Sequence, residues 1–532
     1  MASVPTGESS TVVVVGSGLA GLRAAETLRT EGFRGRLVLV GAERHRPYDR
    51  PPLSKQYLAG AWGLDRLQLR SGEAFGALGL DLRLGIPAVA CDPKLRTVDL
   101  ADGETVGWDG LVVATGATPR TFVGIEGVPG VHVLRTVEDA DRLAASLGRV
   151  VPGTGQAGGG NSGGGVASSD SRDGGSRRMA GGGGGGTGSG AAPGEGGERS
   201  TGGGGPHAGG EPGATGERRG GAGSGTGTAA GAANVERLAS EAGSPATGHR
   251  VVVIGAGFIG SEVAATARGL GASVIVVEPL AAPLARALGE QVGAVCGALH
   301  QEHGVDIRTG TGASALVLAD GTRLPLDAMT PVAPTAGTAT TATALQRAAV
   351  VAVELSEGTQ VPADTVVVGV GVVPATGWLS GSGLELRDGV VTDGTLHAAD
   401  RIVVAGDIAR WPARDRGATV RLEHWTNASE QGVAAARSLL AGRGEAPAFD
   451  PVPYVWSDQY DLKIQVIGVP SADDDLVVVD GDLASRRFVA VYGRHGAITG
   501  AVGFGRPRQL MTLRPLVERR ATMSEAQSAL SG

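Results

Sequence analysis

The chain has 532 residues, room for roughly two to four domains, and its 41% hydrophobic and 19% charged content is that of a globular protein. A net charge of −7 gives no sign of a nucleic-acid binder, and the two cysteines, Cys91 and Cys296, make no CxxC pair, metal-type cluster or disulfide framework. The N-terminus lacks the basic-then-apolar pattern of a signal peptide, and no apolar run approaches the roughly 18 residues of a membrane span, so a cytoplasmic protein is expected.

The first predicted element is a β-branched strand, Thr11 to Val15, which ends at Gly16-Ser17-Gly18-Leu19-Ala20-Gly21. A helical pattern follows through Leu19, Leu22, Ala25 and Leu28, and Gly32 ends it. A second strand, Leu37 to Val40, leads to Glu43. This is the order of a dinucleotide-binding unit. Gly16 permits the tight turn, Gly18 admits a pyrophosphate to the backbone, and Gly21 lets the helix pack close to the strand. The helix N-terminus offers free N–H groups to the phosphates, and Glu43 can accept from ribose hydroxyls.

Next comes "YDRPPLSKQYLAG", Tyr48 to Gly60, with two prolines, two cations and no cysteine. Pro51 and Pro52 stiffen the approach to a predicted helix, with Ser54 as its N-cap and Lys55 opening it. "ATGATPR", Ala114 to Arg120, ends a strand and turns the chain back. From 151 to 234 the chain carries 35 of its 92 glycines with almost no Leu, Ile or Phe, too little apolar surface to offset ordering entropy. A disordered insertion is therefore expected over 151–247.

A second fingerprint follows the strand Val251 to Ile254: Gly255, Gly257 and Gly260, with Ile259 between them. The acid ending the next strand is Glu278. A carboxylate there suits the free 2′-hydroxyl of NADH and repels the 2′-phosphate of NADPH, and no arginine follows it in Pro279, Leu280 or Ala281. A shorter Ala/Thr/Pro loop is expected at about 328–346. Asp407 ends the strand Ile402 to Val404, where α/β folds gather their ligands. "EHWTNASEQG" opens a helix near Glu423. From Asp450 the runs "LKIQVIG", "DLVVVDG" and "RFVAVYGRHGAITGAVGF" read as strands, the last a hairpin turning near Gly493 to Gly496. One helix, "PRQLMTLRPLVERR", is expected after them.

Several motifs in this order, "VVVVGSGLAGL", "RPYDRPPLSK", "LVVATGATPR", "VVVIGAGFIGSEVA", "VVVGVGVVPAT", "IVVAGDIA", "EHWTNASEQG" and "VWSDQYDLKIQVIG", resemble those of the FAD-dependent, NADH-using ferredoxin reductases of bacterial oxygenase systems, the putidaredoxin reductase type. The resemblance implies an α/β fold of the glutathione reductase kind: two Rossmann-like dinucleotide-binding domains, the FAD domain discontinuous, plus a C-terminal α+β domain. The bounds that follow are 8–119 and 375–449 for FAD, 120–374 for NAD and 450–532 for the C-terminal domain.

Carried over by motif, the resemblance implies FAD contacts at Gly16, Gly18, Gly21, Glu43, Arg50, Lys55, Thr115, Gly116, Arg120, Asp407, Trp425 and Trp456. It implies NAD contacts at Gly255, Gly257, Ile259, Gly260, Glu262, Glu278 and Gly371. Lys55 and Glu262 are the implied catalytic pair, joined across the two nucleotide folds. Relatives often carry a second acid before Glu43; here that position is Ala42. The disulfide reductases of the same fold place a redox cysteine pair where this chain has "RPPLSK". A dithiol relay is thus not expected, nor is a metal site. The implied activity passes a hydride from NADH to FAD and then single electrons to a small iron–sulfur ferredoxin feeding an oxygenase. The alternative is an FAD- and NADH-binding redox sensor or scaffold of low turnover, resembling apoptosis-inducing factor. Oligomeric state, monomer or dimer, stays open.

Overall fold

The computed structural model describes residues 7–149, 248–332, 347–413 and 419–530. The glycine-rich stretch 151–247 lies outside them, as does most of the loop expected at about 328–346. The described start of that loop, Met329–Pro331, is a strand antiparallel to Ala117–Phe122. The proline is tolerated there because the strand has a partner on only one side.

The run "TVVVV" forms the central strand Thr11–Val15 of a six-stranded sheet. It pairs in parallel with Arg36–Gly41 on one side and Gly110–Val113 on the other. Ile402–Val404 then joins in parallel beside Gly110–Val113, although it follows about 290 residues later. Val12 and Val14 face one core and Val13 and Val15 the other. A parallel strand covered on both faces needs such an unbroken apolar run. Each of these fully buried valines stabilises the fold by about 1.5–3 kcal/mol.

The second sheet repeats the plan with five parallel strands, ordered Asp306–Thr309, Ser273–Glu278, Arg250–Ile254, Thr365–Val368 and Val131–His132. The C-terminal part is a five-stranded antiparallel sheet in the order Tyr454–Gln459, Leu462–Gly468, Ala497–Phe504, Arg487–Arg494, Asp475–Asp482. Its hairpin turns at His495 and Gly496, both at positive φ, the two-residue turn that matches strand twist. The single helix expected after it is two, Pro507–Thr512 and Arg514–Glu518. Pro515 has no N–H to return to Met511, so one helix cannot run through. Among the described residues no helix is long and apolar enough to cross a membrane.

Three histidines with buried ring nitrogens carry a pH prediction. Burial holds His132, His300 and His424 down at about 4. The folded chain keeps them neutral while the unfolded chain protonates them near pH 6.5, so the unfolded state binds more protons between those values. Stability is then full above about pH 6.5 and falls toward pH 4, each histidine adding a slope of up to about 1.4 kcal/mol per pH unit. Urea midpoints at pH 7, 6 and 5 check this. An unchanged midpoint across that range would contradict it.

Candidate functional site

Strand register decides what meets at the sheet edge. Val15 pairs with Val113 and Val113 with Val404, so the chain leaves all three strands side by side at Gly16, Ala114 and Ala405. Gly16 has φ +121°, and a Cβ on it would come within 2.0 Å of the Ala114 carbonyl oxygen. A Cβ on Gly21 would meet the Gly16 carbonyl oxygen at 1.9 Å, because the helix Leu19–Thr30 rests directly on the turn. A Cβ on Gly18 would meet nothing within 4 Å. Gly18 is the helix N-cap, no side chain caps it, and the first turn carries no acid. Free N–H groups and the positive dipole end therefore face open space.

The second fold copies this. Gly255 sits at φ +99° against the Gly369 carbonyl, and Gly260 lies against the Gly255 carbonyl. Gly257, the uncapped N-cap of the helix Phe258–Gly269, again opens on space. Ile259 is exposed in that first turn, and Gly371 at φ +97° borders open space on the neighbouring loop. Two helix N-termini, each with room beside its glycine and no acid to repel an anion, fit two pyrophosphates.

The acids expected at the riboses are already engaged. Glu43 accepts from Arg50 Nη2 at 2.5 Å and from the Tyr48 hydroxyl. Burial pushes its carboxyl up, but Arg50, Tyr48 and Arg135 outweigh that and hold it below the usual carboxylate range. Glu278 accepts from the Ala256 N–H at 2.8 Å and the Leu280 N–H at 3.0 Å. Each oxygen keeps a lone pair for a hydroxyl. Asp407 pairs with Arg135 at 3.3 Å, and Arg135 in turn gives its carbonyl to Arg50 at 2.6 Å. Gly116 lies against the same Arg135 guanidinium.

Two further residues expected at the FAD are held by backbone carbonyls. Thr115 donates to the Ala375 carbonyl, and Arg120 to the carbonyls of Gly371 and Val372. Arg120 thereby ties the strand Ala117–Phe122 to the strand Val372–Pro374, and Thr115 ties the turn before the first to the residue after the second. Among the described residues no hydrogen bond joins either side chain to the Glu43 cluster.

Lys55 and Glu262 meet across the two folds. Lys55 Nζ lies 2.8 Å from Glu262 Oε2, with side chains 12% and 4% exposed. The local structure differs from the expected helix. Pro51–Ser54 is one turn of 3-10 helix, and Lys55 follows it at φ −129° and ψ −105°. The prolines open that turn, where N–H groups lack partners anyway. Ser54 caps nothing; its hydroxyl donates to Glu262 Oε2 at 2.5 Å. Ser457, from the C-terminal sheet, donates to the other oxygen at 2.8 Å.

Trp425 opens the helix Trp425–Ala441. No side chain caps that helix, and the buried Nδ1 of its N-cap, His424, has no partner among the described residues. Trp425 Nε1 donates to Asp49 at 2.7 Å. The Trp456 ring lies 6.0 Å from Trp425 at 66°, with Tyr454 stacked beyond it at 5.9 Å. Tyr48, Asp49, Ser54, Arg135 and Ser457 all join these clusters without having been read as site residues. All but Arg135 lie inside motifs quoted above. Arg135 stands alone before a capping box at Thr136 and had no signal of its own.

Residues 10–172 and 210–432 match the family model for pyridine nucleotide-disulphide oxidoreductase, and 454–530 match that for the reductase C-terminal domain. Rhodocoxin reductase of Rhodococcus erythropolis is 30% identical over 520 residues, 97% of this chain and 92% of that protein. The ferredoxin–NAD(+) reductase component of the anthranilate 1,2-dioxygenase system of Burkholderia cepacia is 31% identical over 508 residues, 95% and 93%. The crystal structure of the covalent putidaredoxin reductase–putidaredoxin complex is similar with a TM-score of 0.70 at 26% identity, over 97% of this chain and 94% of that one. The chain thus belongs to the pyridine nucleotide-disulphide oxidoreductase family, in the branch of ferredoxin reductases that end in the reductase C-terminal domain.

Proposed function

We propose that this chain is an NADH-dependent, FAD-containing reductase that delivers single electrons to a small iron–sulfur ferredoxin, which feeds an oxygenase. The observation that carries this is the Lys55–Glu262 pair, held across two dinucleotide folds on a segment with no sulfur. Cys91 and Cys296 are buried, and burial pushes their thiols up to about 11 and about 12. Neither can serve as a reactive thiolate at neutral pH.

FAD would lie on the first fold, its pyrophosphate at Gly16, Gly18 and Gly21, its ribose at Glu43 and its ribityl chain at Asp407. NADH would lie on the second, at Gly255, Gly257 and Gly260, with Glu278 at the ribose and Ile259, Glu262 and Gly371 beside the nicotinamide half. A bound flavin supplies the conversion of a two-electron donor into one-electron steps. The chain supplies position and charge. Lys55 holds a cation at the junction and Glu262 fixes that cation. Trp425, at the uncapped start of its helix, bonds Asp49, whose carboxyl lies within the field of Lys55, and Trp456 packs against Trp425. The domain bounds 8–119 with 375–449, 120–374 and 450–532 are supported by Ile402–Val404 joining the first sheet. The solved complex of a reductase with putidaredoxin supports the partner's class. The two unbridged cysteines support a reducing compartment such as the cytoplasm.

Stopped-flow mixing of the FAD-loaded protein with NADH, with NADPH and then with a cysteine-ligated ferredoxin tests this. Fast bleaching by NADH, slower bleaching by NADPH and fast reoxidation by ferredoxin are expected. Bleaching without ferredoxin reoxidation overturns the acceptor. Slow bleaching by both nucleotides favours the sensor reading instead.

A further inference from the structure

The hydrogen bonds around Glu262 do not stop at its neighbours. Ser457 Oγ, which donates to Glu262 Oε1 at 2.8 Å, lies 3.2 Å from Gln459 Nε2. Gln459 Oε1 lies 3.0 Å from His300 Nε2, and His300 Nδ1 lies 3.0 Å from the Tyr460 hydroxyl. Tyr460 is braced by the His303 ring stacked on it at 3.6 Å. Glu262, Ser457, Gln459 and His300 are all buried, so none of these groups can exchange its partner for water.

One end fixes the direction of the whole chain. An ionised carboxylate only accepts, so the Ser457 hydroxyl must donate to Glu262. Ser457 then has only lone pairs for Gln459, which must present its N–H₂ to Ser457 and its carbonyl to His300. His300 must carry its proton on Nε2, and Tyr460 must donate to Nδ1. Four bonds run one way from Tyr460 to Glu262, and bonds so aligned polarise one another. Burial keeps His300 neutral, as this single tautomer requires.

We infer that Ser457, Gln459 and His300 are positioning residues: they lock the Glu262 carboxylate in the orientation that holds Lys55 at the junction, and make the C-terminal domain part of the donor-side site. Glu262 leaves from the second nucleotide fold, Lys55 from the first, and Ser457 and Gln459 from the C-terminal sheet. The correct geometry therefore exists only when all three are assembled. His300, on the helix Ala285–Glu302, ties the relay back to the second fold. The inference rests on the reductase reading for its kinetic consequence, but not for its geometry.

The test uses full-length FAD-loaded protein with Ser457→Ala, Ser457→Thr, Gln459→Met and Glu262→Gln. Ser457→Ala should slow NADH-dependent bleaching about tenfold, the worth of one hydrogen bond to a charged group, with the NADH Kd shifted less than about twofold. Ser457→Thr, which keeps the hydroxyl, should recover most of the rate. Gln459→Met should act in the same direction and more weakly. In the Glu262→Gln background, Ser457→Ala should add less than about twofold, because the two act through one interaction. The second readout is infrared: the carboxylate stretching band lost in Glu262→Gln should shift in Ser457→Ala and, by less, in Gln459→Met. A full Ser457→Ala effect on the Glu262→Gln background, or an unmoved carboxylate band, overturns the inference. A wild-type protein that NADH does not bleach overturns the reductase reading alone, since the infrared comparison still decides this one.

Discussion

Lys55→Met is expected to slow NADH-dependent bleaching by about 10²–10³-fold, the usual effect of removing one preorganised charge from a water-excluded site. The pair is buried on both sides, so the change does more than delete a surface charge. It leaves the Glu262 carboxylate with two hydroxyl donors, Ser54 and Ser457, and no opposite charge. Breaking a buried pair from one side costs about 3–5 kcal/mol of stability. Lost rate and lost stability must therefore be separated. Lys55→Met with Glu262→Gln removes both charges together and should recover most of the stability, because no uncompensated ion stays buried. It should not recover the rate, since the cation is still missing. Lys55→Arg keeps the charge but replaces a compact ammonium with a planar fork, so partial activity is expected. Stopped-flow traces and urea midpoints on the same preparations decide it. Wild-type bleaching in Lys55→Met would remove Lys55 from the junction.

The parts of this molecule that a sequence displays are those where one local rule dominates. A parallel strand buried on both faces must be apolar throughout, so "TVVVV" and "RVVVI" were legible as strands. In the glycine turns, Gly16, Gly21, Gly255 and Gly260 were legible because no other residue fits where a carbonyl passes 1.9–2.5 Å from the missing Cβ. Pairing across the folds was not legible in that way. Nothing in the spacing of Lys55 and Glu262, 207 residues apart, says that they touch. Only the resemblance joined them, and the geometry agrees. Ser54 shows the limit of local rules. Serine before a lysine reads as a cap, yet the hydroxyl turns to a carboxylate that the second fold brings to it. Tertiary contact overrode the local preference. Pro515 is the opposite case: the local rule stands in the sequence, and the structure obeys it by starting a new helix there.

Gly21→Val is expected to abolish flavin retention, and Gly18→Ala to weaken it without harming the fold. The two glycines stand three residues apart in one turn, and the space around them separates the roles. At Gly21 a Cβ would be driven into the Gly16 carbonyl oxygen, and backbone cannot swing aside as a side chain can. The helix must lift off the turn, which costs about 1–3 kcal/mol or more in overpacking and displaces the N–H groups that face the phosphates. Purified Gly21→Val should be colourless and should melt earlier than wild type in its apo form. At Gly18 a Cβ meets no protein atom within 4 Å, so the apo protein should melt as wild type does. The added methyl instead occupies the space proposed for the pyrophosphate, and the FAD Kd should rise about tenfold or more, a loss of about 1.4 kcal/mol or more. The ratio of flavin to protein absorbance, together with apo-protein melting, separates the two effects. Undiminished FAD affinity in Gly18→Ala would mean that the space beside this helix N-terminus is not where the cofactor's phosphates lie.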